Sequence, residues 1–225
     1  MMRIALGIQY NGSAFCGWQT QPDMPNVQDT LESALKTFAT VPISTICAGR
    51  TDTGVHATHQ VVDFKAPVAR PLTAWVRGVN TFLPPTVAVR WACEVPDDFS
   101  ARFSATERTY EYWLLNDPVR SPLMEGFVGW VFRPCDETKM QEAAQCLLGE
   151  HDFTSFRASE CQAKSPIRTI HEITVKRCGN MIGIRLRANA FLHHMVRNIV
   201  GSLVYVGTGK QSVQWFNDVL EARDR

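Results

Sequence analysis

Hydrophobic and polar residues alternate along several stretches of this chain, and such alternation is the pattern of a half-buried β-strand. This alternation predicts strands at 4–10, 60–65, 87–95, 108–116, 170–178 and 181–188. A short apolar run predicts a further strand at 43–47. Apolar residues three and four apart predict helices at 26–39, 72–83, 139–148, 190–206 and 212–222. Asn26 and Ser212 have the side chains of helix N-caps, and the pair Gly179-Asn180 is typical of a hairpin turn.

The predicted elements form two similar halves that meet in the segment 96–107. Each half contains paired strands with helices between them, in an irregular order. This order predicts an α+β fold with a mixed, mainly antiparallel sheet rather than a doubly wound parallel sheet. We expect an N-terminal half at 1–105 and a C-terminal half at 106–225.

The composition is that of an ordinary globular protein, with 45% hydrophobic and 20% charged residues. The net charge of +1 leaves nucleic-acid binding open, because acidic residues elsewhere can balance a basic cleft. No apolar run approaches the ~20 residues that span a bilayer, and no signal-peptide core follows the N-terminus. We therefore expect a cytoplasmic protein that does not contact membranes.

The sequence lacks the usual signatures of metals and cofactors. Its seven cysteines are odd in number and form no C-x-x-C pair, which argues against a disulfide framework and against a zinc site. No G-x-G-x-x-G, Walker or H-E-x-x-H motif is present. We interpret the histidine pairs His56/His59 and His193/His194 as structural or RNA-facing, and we expect no bound metal.

The most informative string is Ala-Gly-Arg-Thr-Asp-Thr-Gly-Val-His-Ala at 48–57. It places Asp52 between Arg50 and Gly54, directly after the apolar run. A bare Asp-x-Gly is usually an ordinary turn. The combination of a cation, a lone carboxylate and backbone freedom in one short loop favours a functional loop instead.

A second string, at 188–201, opens the predicted helix 190–206. On a helix, Arg197 would share a face with His193, four residues before it, and with His194, three residues before it. An arginine deep in an apolar helix needs a partner, because an unpaired buried charge is costly, and Asp52 is the natural candidate. From the helix alone, an arginine that extends to solvent is a reasonable alternative. Together with the Asp52 loop, the sequence favours pairing.

A third string, at 99–110, interleaves arginines with aromatic residues and ends in a strand. Arginine side chains can bind phosphates, and tyrosine or phenylalanine can stack on an extruded base. An aromatic residue in a strand more often belongs to the core. These statistics do not distinguish Tyr110 from Tyr112.

All three strings, in this order, resemble the tRNA pseudouridine synthase A family, as do the segments 10–13, 17–19 and 146–157. The resemblance covers essentially the whole chain and implies the pseudouridine synthase fold, in which two α/β halves share one continuous sheet with flanking helices. It also implies roles for four residues. Asp52 would be the nucleophile, Arg50 would hold the flipped nucleotide, Tyr110 would pack against the target base, and Arg197 would pair with the catalytic carboxylate.

The same resemblance implies that the substrate is tRNA, modified at uridines near positions 38–40 of the anticodon arm, and that the enzyme is a cofactor-free homodimer. The residues that would contact the RNA, besides Arg50 and Tyr110, are Arg70, Phe99, Ser100, Ala101, Arg102, Phe103, Glu160, Cys161, Gln162, Ala163 and Lys164.

The sequence departs from the family pattern at two places. Thr53 stands where many relatives have alanine, and the sequence ends at Arg225, where relatives usually continue with a further segment and a final strand. The second departure implies either a trimmed form or a weaker activity.

Two other functions stay open from the residues alone. One is a noncatalytic tRNA-binding protein on the same scaffold, although binding alone gives no reason for a carboxylate among phosphate contacts. The other is a glycoside or nucleoside hydrolase, which normally requires a second carboxylate.

Overall fold

The computed structural model describes residues 2–224, which divide into two compact units. The first unit extends to Thr106 and the second begins at Glu107. Arg225, where the expected C-terminal departure falls, lies outside the described residues. No helix in the described part of the chain is both long enough and apolar enough to cross a membrane.

The first unit is a four-stranded antiparallel sheet with three helices. Its strands lie in the order β2-β3-β1-β4. In chain order its elements are β1 (Arg3–Tyr10), α1 (Val27–Ala39), β2 (Ile46–Cys47), β3 (Ala57–Lys65), α2 (Leu72–Asn80), β4 (Val87–Val95) and α3 (Ala101–Ser104).

The core of this unit follows from the alternation of its strands and the apolar stripes of α1 and α2. Ile4, Leu6 and Ile8 on β1 are completely buried, and they cluster with buried residues of both helices. The Asn26 side chain caps α1 by accepting a hydrogen bond from the backbone N–H of Asp29 at 2.8 Å. A polar side chain at this position stabilises a helix by about 1 kcal/mol.

The second unit is a five-stranded sheet in the order β6-β5-β9-β8-β7. Its ladders are antiparallel except for the parallel pair β5–β6. In chain order its elements are β5 (Arg108–Asn116), β6 (Gly129–Val131), α4 (Glu137–Ala144), β7 (Gly149–Asp152), β8 (Ile167–Cys178), β9 (Met181–Ala188), α5 (Met195–Gly207) and α6 (Val213–Ala222). Buried residues from all three helices cluster with buried residues of β5, β8 and β9.

Most of the predicted elements are present, and three strands begin and end at the predicted residues: β4, β5 and β9. The predicted N-caps Asn26 and Ser212 both accept a backbone hydrogen bond from the first turn of their helices. The mainly antiparallel α+β architecture is confirmed.

The strand pairing was not predictable from the sequence. The ladders give the first unit the order β2-β3-β1-β4 and the second unit the order β6-β5-β9-β8-β7, so that neighbours in the sheet are often not neighbours along the chain. Composition and periodicity carry no information on which strands pair.

Several predicted boundaries are wrong, and in two cases a side chain bonds the backbone in place of the predicted element. The run 43–47 yields only the two-residue strand β2, because Glu32 accepts hydrogen bonds from the backbone N–H and the hydroxyl of Thr45 at 2.8 and 2.9 Å. The helix predicted at 190–206 begins at Met195. Before it, the Asn189 carboxamide accepts hydrogen bonds from the N–H groups of Thr169 and Ala190.

Candidate active site

The loop between β2 and β3 carries Asp52 and is fastened to β3 at its start. The backbone N–H of Ala48 donates to the carbonyl of Val61 at 2.9 Å, and the Gln60 carboxamide donates to the carbonyl of Gly49 at 2.5 Å. Gln60 is one of only a few buried polar residues in the described part of the chain. The loop therefore leaves the sheet in a fixed direction.

The residues on either side of Asp52 are held as firmly. The carbonyl of Thr51 accepts from the N–H of Trp18 at 2.9 Å, and its hydroxyl hydrogen-bonds the buried Tyr10 hydroxyl at 2.8 Å. The N–H of Val55 donates to the carbonyl of Asp52 at 3.1 Å, which closes a tight turn. Asp52 itself is half-buried. Hydrogen bonds on both sides of Asp52 therefore fix the backbone that carries its carboxylate.

Two glycines of the first unit allow this loop to approach the rest of the fold. A Cβ at Gly12 would lie 2.1 Å from the carbonyl oxygen of Val55, a distance that no side chain tolerates. Gly17 has φ +99, and a Cβ there would lie 2.7 Å from the carbonyl oxygen of Thr51. Glycine at both positions is required by the close approach of the loop backbone.

The histidine in the loop makes a contact with the backbone of the first unit. Nδ1 of His56 accepts a hydrogen bond from the backbone N–H of Gly12 at 3.1 Å. One ring nitrogen of His56 therefore bonds the same residue, Gly12, against which the loop backbone packs at Val55. His59 instead lies against the ring of Trp91, with their centroids 5.7 Å apart.

Arg50 and Arg102, both predicted to contact RNA, lie on neighbouring segments of the first unit. Both side chains are exposed. Arg50 follows β2 at the start of the Asp52 loop, and Arg102 belongs to α3, which lies against β2. Burial raises the pKa of the Cys47 thiol on β2, and the positive charges of Arg50 and Arg102 act on the same thiol in the opposite direction.

The segment 99–103 divides into buried and exposed residues. Phe99 and Ser100 are half-buried, and Ala101 is buried where α3 meets the sheet. Phe103 is 81% exposed, and the guanidinium of Arg102 lies 5.2 Å from the centroid of its ring. An aromatic ring with so much exposed surface does not belong to the core.

The residue that holds α3 in place was missed by the sequence reasoning. Asp63 on β3 is completely buried; one carboxylate oxygen binds the guanidinium of Arg3 and the other accepts from the N–H of Ala101 at 2.7 Å. Its only signal in the sequence is a charged residue inside the apolar run 61–64. A buried charge of this kind requires partners.

Arg70, a weaker candidate for RNA contact, is placed differently. Its guanidinium lies 4.6 Å from the ring centroid of Phe38 on α1. Phe38 in turn packs edge-on against Trp75 of α2, with centroids 5.1 Å apart. These contacts associate Arg70 with the two helices rather than with the loop of Asp52.

In the second unit, Tyr110 and Tyr112 are distinguished by their neighbours. Tyr110 lies edge-on to Phe191, with ring centroids 5.0 Å apart and an interplanar angle of 84°. Tyr112 instead packs at the margin of the core. Phe191 belongs to the irregular segment before α5, and Arg108 fastens that segment to β5 by donating to the carbonyl of Asn189 at 2.9 Å. Tyr110 therefore lies beside the segment that leads to Arg197.

Arg197 occupies the first turn of α5, where its side chain is exposed. The prediction that it shares a helical face with His193 and His194 is wrong, because both histidines precede the helix. His194 has φ 60 as its N-cap residue, and the two imidazole rings lie against each other with centroids 4.0 Å apart. The left-handed backbone at position 194 interrupts the helical period on which the prediction relied.

The segment 160–164 follows a loop that is fastened to the same region of the second unit. The N–H of Ala158 donates to the carbonyl of His193 at 2.8 Å, and the Asn198 side chain donates to the carbonyl of Phe156 at 2.8 Å. Within the segment, Glu160, Gln162 and Lys164 are exposed. Cys161 and Ala163 are half-buried against the core.

Replacing Tyr10 with phenylalanine is expected to lower the free energy of unfolding by about 1 kcal/mol, the typical value of a buried hydrogen bond. The variant keeps the ring and leaves the Thr51 hydroxyl without this partner. Urea unfolding measures the effect, with Tyr205→Phe as the matched control because Tyr205 is exposed. Equal stability of the two variants would show that the Tyr10 hydroxyl does not hold the loop.

The chain is similar to known proteins over its whole length. A family model described as tRNA pseudouridine synthase matches residues 7–104 and 143–225. The tRNA pseudouridine synthase A of Burkholderia multivorans is 58% identical over 224 residues, which are 100% of this chain and 83% of that protein. The proteins of the same name from Paraburkholderia phytofirmans and Janthinobacterium sp. are both 56% identical, over 225 and 229 residues, and the alignments cover 83% and 84% of their lengths.

Proposed function

Because the chain belongs to the tRNA pseudouridine synthase family, we propose that it isomerises uridines at about positions 38–40 of the tRNA anticodon arm, with Asp52 as the nucleophile. The family assignment supports the isomerase activity, whereas the position of the target and the role of Asp52 are our proposals. The observation that carries the role of Asp52 is its loop, in which backbone and side-chain hydrogen bonds fix the residues on both sides of one carboxylate.

The proposed reaction rearranges one nucleotide without adding an atom. The bond between C1′ of the ribose and N1 of uracil breaks, uracil turns within the site, and a bond forms between C1′ and C5. The C5 hydrogen leaves as a proton to water, and N1 gains a proton. Since nothing is oxidised and no group is imported, the reaction requires no cofactor. An ionised carboxylate at the ribose, either bonded to C1′ or removing a sugar proton, is sufficient for the first step.

The cations near the Asp52 loop suit an RNA substrate. Arg50 and Arg102 are exposed, and α3, which carries Arg102, lies against β2, the strand that leads into the Asp52 loop. Guanidinium groups bind phosphates and can enter the space that a flipped base vacates, which offsets part of the few kcal/mol that extrusion costs. We assign Arg50 to the flipped nucleotide and Arg102 to the RNA backbone. Neighbouring Phe103, with most of its ring exposed, offers a stacking surface.

The second unit supplies the other proposed roles. Tyr110, set against Phe191, is the proposed platform for the target uracil. Arg197 is the proposed cation that pairs with the Asp52 carboxylate. We include the segment 160–164 as an RNA contact because its loop is fastened beside the start of α5. Arg70 stays a weaker candidate, since its guanidinium already packs on Phe38.

We further propose that the protein acts in the cytoplasm and as a homodimer, as the family resemblance implies. The folded anticodon arm would be recognised by its shape and backbone more than by base identity. This explains how one site can act on three neighbouring uridines.

Mapping the product tests the position of the target. Unmodified tRNA transcripts that carry a single uridine at 38, 39 or 40 should each gain one pseudouridine, detected by carbodiimide labelling and primer extension. A transcript with cytidine at all three positions should gain none. Pseudouridine in the D or T arm, or in the cytidine control, would contradict the proposed position and leave the isomerase activity intact.

A further inference from the structure

Asp63 is an unusual residue for the interior of the first unit. It is completely buried on β3, between β1 and β2, while its neighbours Val62 and Phe64 belong to the core cluster beneath α1 and α2. Because successive residues of a strand point to opposite faces, Asp63 lies on the other face of the sheet. The Ala101 N–H, which begins α3, donates to it there.

The helix α3 depends on this contact. It is a single turn of four residues, too short to be stable by itself. Ser100, at its N-cap, makes no capping hydrogen bond with its side chain. The Ala101 N–H, one of the groups that a helix start leaves without an intrahelical partner, is instead bonded by the Asp63 carboxylate at 2.7 Å. A carboxylate 38 positions earlier in the sequence therefore caps the turn.

The capped turn determines where two exposed side chains lie. Arg102 and Phe103 follow Ala101 directly and contact each other, with the guanidinium 5.2 Å from the ring centroid. Helix α3 also lies against β2, the strand that leads into the loop of Asp52. A shift of α3 would therefore move Arg102 relative to this loop.

We propose that Asp63 is a positioning residue for tRNA binding, which fixes through the Ala101 N–H the turn that presents Arg102 to the RNA. The inference rests on the proposed function, because it assigns the phosphate contact to Arg102. Asp63 touches no substrate; it acts through α3. The positioning role requires the carboxylate oxygen that accepts the hydrogen bond from the Ala101 N–H. The contact with Arg3 has a different role, which is to neutralise the buried charge of Asp63.

These two roles can be separated by paired variants. In an Arg3→Met background the charge of Asp63 is no longer needed, so Asp63→Asn keeps an acceptor for Ala101 without a buried charge. Asp63→Leu in the same background keeps the branching at Cγ, is bulkier, and has no acceptor. The two double variants thus differ in the one hydrogen bond in question, and both avoid an unpaired buried ion.

We expect Arg3→Met/Asp63→Asn to keep KM for tRNA within about twofold of the parent, and Arg3→Met/Asp63→Leu to raise it about tenfold with kcat little changed, as loss of one charged contact would do. Arg102→Ala should raise KM by a similar factor. Combining Arg102→Ala with the leucine double variant should add no further increase, because a misplaced arginine and an absent one are equivalent. A merely structural defect would multiply with the loss of Arg102.

Amide hydrogen exchange without RNA provides the second readout. A peptide covering 99–105 should exchange faster in the leucine variant than in the asparagine variant, while peptides of α1 stay unchanged. Equal exchange in the two variants, multiplicative KM effects, or an Arg102→Ala variant with parental KM would each overturn the proposal. Failure of the proposed function would look different, since the parent itself would then form no pseudouridine in tRNA.

Discussion

Asp52→Asn is expected to abolish pseudouridine formation, with a fall in kcat of about 10⁴-fold or more, and to leave tRNA binding near that of the parent. Asparagine has almost the same shape and cannot act as the ionised group at the ribose, so the loss falls on the chemical step. The turn should persist, because the bond from the Val55 N–H goes to the Asp52 backbone carbonyl and not to its side chain.

The measurement uses tRNA transcripts with tritium at uridine C5, since the isomerisation releases that tritium to water. Filter binding of the same transcripts reports affinity separately. Asp97→Asn serves as the matched control, because Asp97 is an exposed carboxylate of the same unit. Turnover by Asp52→Asn within tenfold of the parent would exclude Asp52 as the reacting group. Binding without tritium release by the parent would favour a noncatalytic RNA-binding protein, and release of free uracil would favour a hydrolase.

The second large effect is expected at Gly12, which lies outside the string at 48–57 that carries Asp52. A Cβ at this position would lie 2.1 Å from the Val55 carbonyl oxygen, and backbone atoms on both sides leave no flexible group to move aside. Gly12→Ala should therefore push the loop away and also weaken the bond from the Gly12 N–H to His56. A displacement near 1 Å at a reacting group lowers the rate by about 10²-fold, so we expect a loss of that size in kcat.

The chain supplies its own control for this prediction within the Asp52 loop. A Cβ at Gly49 would meet only open space, and its φ is not positive, so Gly49→Ala should keep kcat within about threefold. Both variants are assayed by tritium release, and circular dichroism confirms that they are folded. Equal activity of the two alanine variants would show that the approach of Gly12 to Val55 does not set the position of Asp52.

The local elements were predictable because their signals are local. Strict alternation located β4, β5 and β9 to the residue, and Asn26 and Ser212 identified the starts of α1 and α6. The predictions failed where a distant side chain replaces the local pattern. The Glu32 carboxylate accepts the Thr45 N–H, which in a longer β2 would be available for strand pairing. The hydrogen bonds of the Asn189 side chain hold the chain in a loop there, so that α5 begins only at Met195.

The residues of the candidate site also divide into those with a local sequence signal and those without one. The string around Asp52, the arginine of α5 and the aromatic-rich segment before β5 identify the family, because each is a short run of residues whose chemistry can be seen in order. Asp63 could not be found in this way. Its importance comes from Arg3 and Ala101, which lie 60 and 38 positions away along the chain. Gly12 is a similar case, since its neighbour Val55 is distant in sequence.

The sequence by itself determined the α+β class, most of the helices and strands, the membership of the family and the residues that merit a catalytic or RNA-binding role. Only the tertiary structure decided which strands pair within each half, which carboxylate holds α3, which tyrosine lies beside Phe191, and why glycine is required at position 12. The physical reason is the range of the interactions. Periodicity and capping act within a few residues, whereas strand pairing, burial of a charge and close backbone approach join residues that only folding brings together.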